Sequence, residues 1–369
     1  MRRCKDRFNN GRYRTYARNE FEMSKIAEPN LLPFPFPFPL PLPQSHPEPV
    51  RVSVVIVVWN AKEYVMECLG SLREHCVNIC SEVIVVDNAS TDGTPDVIAE
   101  MFPEFKVIRN SENFGFAKAN NIGIVQSTGN YVCLVNSDVK FLDDCISPMI
   151  RFLADHPGVG MVGPKMLSTN GEVRRSTMRF PNVWNIFCRA IGFDFLFKGS
   201  RLFGGLLMSD FDHQTTTPVE VLNGWFLLVR RNALQQVGLL DPQFFMYGED
   251  VDWCYRFREA GQAVVFFAES GAIHYGGASS ANAPLRFYLE MHRASWQYWK
   301  KHYGVLPQLG FLSSFAIHHS LRLLSAAFRY LCAPSKRTDA VARFKRSLAC
   351  LRWVGGLKFE RLQTDKRAA

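Results

Sequence analysis

The chain has 369 residues and 47% hydrophobic content, enough to bury a substantial core, so one large domain with appendages is expected in place of two independent units. Its net charge of +9 is unevenly placed: residues 321–369 hold twelve Lys or Arg against three Asp or Glu, and the first twenty hold seven against two, leaving the middle net negative. Basic ends on an acidic body point to an anionic membrane surface, with nucleic acid as the competing reading and not the expected partner.

The ten cysteines show no paired metal spacing, and no signal peptide is in view, so they are expected to be reduced cytosolic thiols. Residues 1–49 are basic and then proline-rich. The alternating prolines of Leu31 to Pro43 forbid helix and strand ladders and favour an extended spacer outside the fold.

The folded part is expected at 50–303. It opens on the apolar run Arg51 to Val58, which ends at Trp59-Asn60. Val65, Leu69 and Leu72 then fall at helical spacing, and Glu82 to Val86 forms a second strand ending on Asp87-Asn88. Strand, helix, strand at this spacing is a βαβ unit with both carboxyl ends on one edge. A third short strand at Lys106–Ile108 precedes Asn113-Phe114-Gly115, a turn into another helix. Tyr131 to Val135 is an unalternating apolar run, as a strand buried on both faces reads, and it ends abruptly on Asn136-Ser137-Asp138. Oxygen ligands two residues apart on an extended chain suit a hard divalent cation and the diphosphate it carries, although such a triplet also reads as a turn. Asn60, Asp87 and Asp138 after parallel strands read more economically as one site. No glycine-rich phosphate loop follows the first strand, so a metal is needed to neutralise phosphate charge, while Asp87 suits a pyrimidine N–H.

These residues, Val-Ser-Val-Val-Ile-Val-Val-Trp-Asn, Val-Asp-Asn-Ala-Ser-Thr-Asp-Gly-Thr, Asn-Phe-Gly-Phe-Ala-Lys-Ala-Asn-Asn and Val-Asn-Ser-Asp, resemble the inverting glycosyltransferases of family 2. The likeness is strongest to their rhamnosyltransferase-like branch, which builds bacterial cell-surface polysaccharides. It implies an α/β GT-A fold, a mostly parallel nucleotide-binding sheet flanked by helices. It also implies a nucleotide-diphosphate sugar donor, a saccharide or lipid-linked acceptor, and Mg²⁺ or Mn²⁺. Ser137 stands where the branch more often has proline, which leaves both flanking ligands in place. Trp59, Asn60, Asp87, Asn88, Asn113, Gly115 and Asn136 are then the donor-binding candidates.

Phe180 to Thr217 gives no clear element and reads as a mobile acceptor loop. Asn223 to Arg231 returns as a strand, which by resemblance lies beneath the acceptor, with Gly224 and the flat face of Trp225 as its contacts. Glu249-Asp250 opens a helix on which Asp250 shares the inward face with Cys254 and Phe257, whereas Asp252 is expected to face outward and pair with Arg256. A partly desolvated Asp250 would take a proton from a hydroxyl, and the resemblance places the family's catalytic carboxylate there, with Glu249 beside it. After the strand Ala263 to Phe267, the resemblance returns His274 to the metal that Asp138 holds.

Residues 304–369 depart from this module. Gly304 to Leu321 carries no charge and is too short and polar to span a bilayer, so an amphipathic helix in the interface, followed by the basic tail, is expected. The alternative is a helix packed on the catalytic domain. The enzyme is thus expected on the cytoplasmic face of the membrane as a peripheral protein. A sugar nucleotidyltransferase and a non-catalytic carbohydrate-binding protein are the other functional readings.

Overall fold

A computed structural model describes residues 51–76, 79–277 and 284–354. The expected spacer of residues 1–49 and the last part of the basic tail lie outside these. Strands β1 (Val52–Val58), β2 (Cys80–Asp87), β3 (Lys106–Arg109) and β4 (Tyr131–Asn136) alternate with helices α1 (Lys62–Cys76), α2 (Thr94–Met101) and α3 (Phe116–Val125). The strands pair in parallel in the order β3-β2-β1-β4. Each strand feeds two cores. Val54, Ile56 and Val58 pack on one face with Leu69 and Leu72 of α1, and Val55, Ile84 and Val86 on the other with Ala117 and Ile124 of α3. Burial on both faces explains the unalternating sequence.

The second half of the sheet is mixed. Strand β5 (Val139–Phe141) leads to α4 (Ile146–Asp155) and β6 (Val159–Leu167), followed by β7 (Val173–Arg174) and β8 (Thr177–Met178). Gly163-Pro164-Lys165 lies inside β6, where β11 no longer pairs and the register to β12 is about to shift, so proline sits where the ladder is already interrupted. The stretch expected to be a loop holds α5 (Val183–Ile191) and the short α6 (Phe193–Leu196). Its signal was hidden because the capping box is built from Asn182 and Asn185, each side chain bonded to the other's amide, in place of the usual Ser or Thr with Glu.

Short strands β9 (Thr217–Pro218) and β10 (Val221–Leu222) precede β11 (Phe226–Arg230), which runs antiparallel between β4 and β6. Then come α7 (Arg231–Val237), α8 (Glu249–Glu259) and β12 (Ala263–His274). β12 lies parallel to β6 and antiparallel to β5, with His274 opposite Val139, so a strand that arrives 136 residues later brings its last residue beside Asp138.

Three helices complete the described chain: α9 (Pro284–His302), α10 (Val305–Cys332) and α11 (Arg337–Val354). α10 packs against α5 and α11, and its Phe311 stacks on Trp296 and Trp299 of α9. Its opposite face exposes Leu306 and Leu309 and, beyond the exposed Ser313, Ile317, Leu321, Leu324, Phe328 and Leu331 at spacings of three and four. The helix is therefore packed on the domain by one side and apolar on the other, and the two readings of the sequence describe different faces of it. No helix among the described residues is long and apolar enough to cross a membrane.

Candidate active site

The parallel registers pair Val58 with Asp87 and Val57 with Asn136, so the polar strand ends stand side by side at one sheet edge. Asn60 adopts a left-handed φ of 46°, its amide donates to Ser90 Oγ at 2.9 Å, and its Oδ1 accepts from the Thr91 amide at 2.8 Å. It therefore braces the loop that carries Asp87. Asp87 is buried, and while its Oδ2 accepts from the Ser90 amide at 3.0 Å, its Oδ1 has no hydrogen-bond partner among the described residues. A buried acceptor left open costs free energy unless a ligand donates to it, which fits the N–H of a base.

Asn88 is a bracket: its Nδ2 donates to the Gly115 carbonyl at 3.1 Å and its Oδ1 accepts from Asn110 Nδ2 at 2.9 Å. Asn113 Oδ1 accepts from the Gly115 amide at 2.9 Å. Gly115 has φ 82°, and a Cβ there would collide with the Phe245 carbonyl oxygen, so the turn admits only glycine. The Phe116 amide donates to that same carbonyl at 2.6 Å. Trp59, Asn88, Asn113, Gly115, Asn136 and Asp138 line a cavity of about 190 Å³ that includes none of Asp87 in its wall.

Asp138 is buried, and its Oδ1 lies 3.1 Å from His274 Nε2. Asn136 Nδ2 lies 3.4 Å from the same ring nitrogen, and Asn136 Oδ1 is buried with no partner among the described residues. A carboxylate, an imidazole and an open amide oxygen on one point form a donor set that fits Mg²⁺ or Mn²⁺ with phosphate oxygens completing the shell. Trp225 is 3% exposed and stacks on the His274 ring, centroids 5.4 Å apart at 21°. It touches the larger cavity, where an acceptor contact is expected, and one face of its ring packs on His274.

Gly224 acts through its backbone, its amide donating to Asp250 Oδ2 at 2.9 Å, and Asp250 Oδ1 accepts from the Val251 amide at 2.8 Å. Burial raises the Asp250 pKa, and these amide bonds offset part of the rise. Glu249 is more deeply placed. Burial first, and the charge of Asp250 next, push its pKa well above the ordinary value, and its Oε2 has no partner among the described residues. Neighbouring carboxyls thus sit in unlike settings: Glu249 is buried with one oxygen open, and Asp250, half-buried, is aligned by two backbone amides.

Asp252 does pair with Arg256, at 2.9 Å, but it faces inward and is fully buried, which corrects the expected outward placement. Its Oδ1 meets Lys301 Nζ and His302 Nε2, each at 2.7 Å, because α9 covers the face that a helix wheel assigns to solvent. Asp250 and Gly224 line a second cavity of about 640 Å³, which shares Phe116, Asn136, Met246, Tyr247 and His274 with the smaller one. Phe116, Met246 and Tyr247 were not singled out by sequence, since an apolar wall residue carries no signal distinct from core.

A family model described as glycosyl transferase family 2 matches residues 53–238. The chain is 27% identical over 233 residues to the N-acetylglucosaminyl-diphospho-decaprenol L-rhamnosyltransferase of Mycobacterium tuberculosis, covering 58% of this chain and 73% of that one. It is 25% identical over 209 residues to the O-antigen biosynthesis protein RfbC of Myxococcus xanthus, covering 54% of this chain and 15% of that one. Among solved structures, the mannosyltransferase PcManGT from Pyrobaculum calidifontis in complex with GDP-Man and Mn²⁺ superposes with a TM-score of 0.47 and 19% identity, covering 82% of this chain and 87% of that one.

Proposed function

The chain belongs to glycosyl transferase family 2, and from that premise we propose that it moves a sugar from a nucleotide-diphosphate donor to a hydroxyl of a saccharide or lipid-linked acceptor, with inversion at the anomeric carbon. The observation that carries this reading is the placement of Asp250. It is desolvated, aligned by the Gly224 amide, and set in the larger cavity, which meets the smaller one at Asn136 and His274. The smaller cavity is assigned to the donor and the larger to the acceptor. Rhamnose as the sugar and a cell-surface polysaccharide as the destination rest on the relatives' names.

Asp87 seats the base through its open Oδ1, braced by Asn60 and Ser90. Asp250 accepts the proton of the attacking hydroxyl as its oxygen closes on the anomeric carbon and the bond to the diphosphate oxygen breaks on the opposite face. One displacement needs no carboxylate nucleophile. A divalent cation held by Asp138 and His274, with Asn136 Oδ1 beside them, would neutralise charge on the leaving diphosphate.

The exposed apolar face of α10 and the basic residues after it support residence on the cytoplasmic face of a membrane. The test is release of nucleoside diphosphate from a panel of nucleotide sugars, with Mg²⁺, with Mn²⁺ and with chelator. Turnover should require metal, and Asp138→Ala should lose the metal-dependent part of donor binding. Full-rate transfer in excess chelator would remove the metal role of Asp138 and His274, and no turnover of any donor would remove the transfer reading.

A further inference from the structure

The three helices that follow the central sheet meet around a group of side chains that sugar transfer does not use. His292 of α9, His319 of α10 and Cys350 of α11 each offer a ligand atom, and these atoms all lie within 4.8 Å of one another. His319 is 0% exposed and Cys350 1%. Because each ligand comes from a separate helix, the cysteine spacing along the chain carries no trace of the group.

The packing around these residues is aromatic, and it fixes the rings. The centroids of His292 and His319 lie 5.0 Å apart at an interplanar angle of 85°, Phe315 contacts the two at 5.0 and 4.4 Å, and Tyr288 lies edge-on to both. Trp353 closes α11 onto Trp296 of α9 and Phe315 of α10. Within this shell both ring nitrogens of His319, and Nε2 of His292, are buried with no hydrogen-bond partner among the described residues. Each nitrogen of an imidazole carries either a proton to donate or a lone pair to share, and leaving three of them open in an apolar setting is unfavourable unless something binds there.

The chemistry of the three groups selects the occupant. Burial first, then the neighbouring histidines and Arg322, lowers the pKa of His292 to about 4 and that of His319 to about 3. Both imidazoles are therefore neutral near pH 7 and keep a lone pair for coordination, whereas they have no charge with which to hold an anion. Arg189, which also acts on His292, is paired with Asp194 at 3.0 Å. Burial pushes the Cys350 thiol up to about 12, and Arg322 acts in the opposite direction. Arg322 thus opposes a bare cation here but favours the thiolate that a bound cation needs. Hard ions that prefer water and carboxylate gain nothing from such a set, while zinc binds thiolate and imidazole strongly enough to displace the thiol proton.

We propose that His292, His319 and Cys350 bind a zinc ion that fastens α9, α10 and α11 to one another. Zinc sits about 2.0–2.1 Å from an imidazole nitrogen and about 2.3 Å from sulfur, so the ligand atoms draw together by about 1 Å on binding, which side-chain rotation supplies. His292 also lines the larger cavity, which gives a water access as the fourth ligand. The ion is separate from the one assigned to Asp138 and His274. Its role is to hold the helices that wall the larger cavity, to which α9 and α10 contribute Tyr288, Met291, Phe311 and Phe315.

The test uses the full chain, purified in reducing buffer with added zinc and freed of loose metal by gel filtration. Elemental analysis should find about one zinc per chain in wild type, and less than about a tenth of that in Cys350→Ser and in His319→Gln. Cobalt exchanged for the zinc should show thiolate-to-metal charge-transfer absorption in the near ultraviolet. Cys350→Ser should abolish that absorption and Asp138→Ala should leave it in place, which separates this ion from the one proposed for transfer. Wild type should melt about 5 °C or more above its zinc-free form, as binding to the native state alone requires, and each variant should melt alike with and without zinc. Wild type that holds no zinc and shows no cobalt–thiolate absorption would overturn the proposal and leave the open nitrogens to a buried water. Zinc retained in full by both variants would overturn it as well, by placing the ion on other residues. The cobalt spectrum is read on wild type, so a variant that fails to fold does not leave the question open.

Discussion

At the scale of the residue, Asp250 and Glu249 illustrate how two adjacent carboxyls acquire different chemistry. Glu249 lies in the core with an oxygen unpartnered, and Asp250 meets the cavity with both oxygens on backbone amides. Asp250→Asn keeps size and one of the two amide contacts while removing proton acceptance. Transfer should fall by about 100-fold or more with donor affinity nearly unchanged, read as kcat against donor KM, and near-normal turnover would end its assignment as base. The polar residues at strand ends were legible in the sequence because each ends an apolar run: Asp87, Asn136, Asp138 and His274 stand where expected. The division of labour around them was not. That Asn60 and Asn88 brace loops, and that Trp225 stacks on His274, depends on partners 27 to 31 residues away or on another strand altogether.

At the scale of the element, the junction of α8 and α9 shows what a helix wheel omits. The pattern of α8 gives its period but not its neighbours, and α9 arrives 49 and 50 residues later to bury Asp252 under Lys301 and His302. Burial alone would raise the Asp252 pKa, but the His302 hydrogen bond and the charges of Arg256 and Lys301 outweigh it and bring it to about 2, below the ordinary 3.8. A lowered folded-state pKa means the stabilisation is present above pH 3.8 and is lost as pH falls toward 2. Urea denaturation should show a loss of about 2 kcal/mol across that interval, and Asp252→Asn should lose a similar amount at pH 7 and flatten the acid limb. An unchanged acid limb in the variant would show that the network adds nothing to stability. The helix in the stretch 180–217 was missed for a related reason, since its cap is two asparagines and its partner, α10, lies far along the chain.

At the scale of the whole folded unit, the βαβ order was legible because local periodicity dictates it, whereas the antiparallel β11 and the packing of α10 require contacts between distant segments. Removing everything after Gly304 would strip Phe311 from Trp296 and Trp299 and so would test stability and not address. Substitutions on the exposed face separate the two. Leu309→Glu, Leu324→Glu and Phe328→Glu together remove apolar side chains that are more than half exposed, with Leu324 69% exposed. They should reduce sedimentation with anionic vesicles by about 10-fold or more while leaving the melting temperature within a few degrees, and the remaining binding should weaken with salt. Vesicle binding indifferent to these changes and to salt would leave α10 as packing alone. The clasp at Gly115 joins the walls of the two cavities. Because the Phe116 amide holds the Phe245 carbonyl, a ligand that shifts the turn at Asn113 should be felt in the segment that enters α8 at Glu249. Linkage then requires each substrate to change the other's affinity by the same factor, which calorimetry of each with and without the other would measure, and equal affinities in both titrations would show that the clasp transmits nothing.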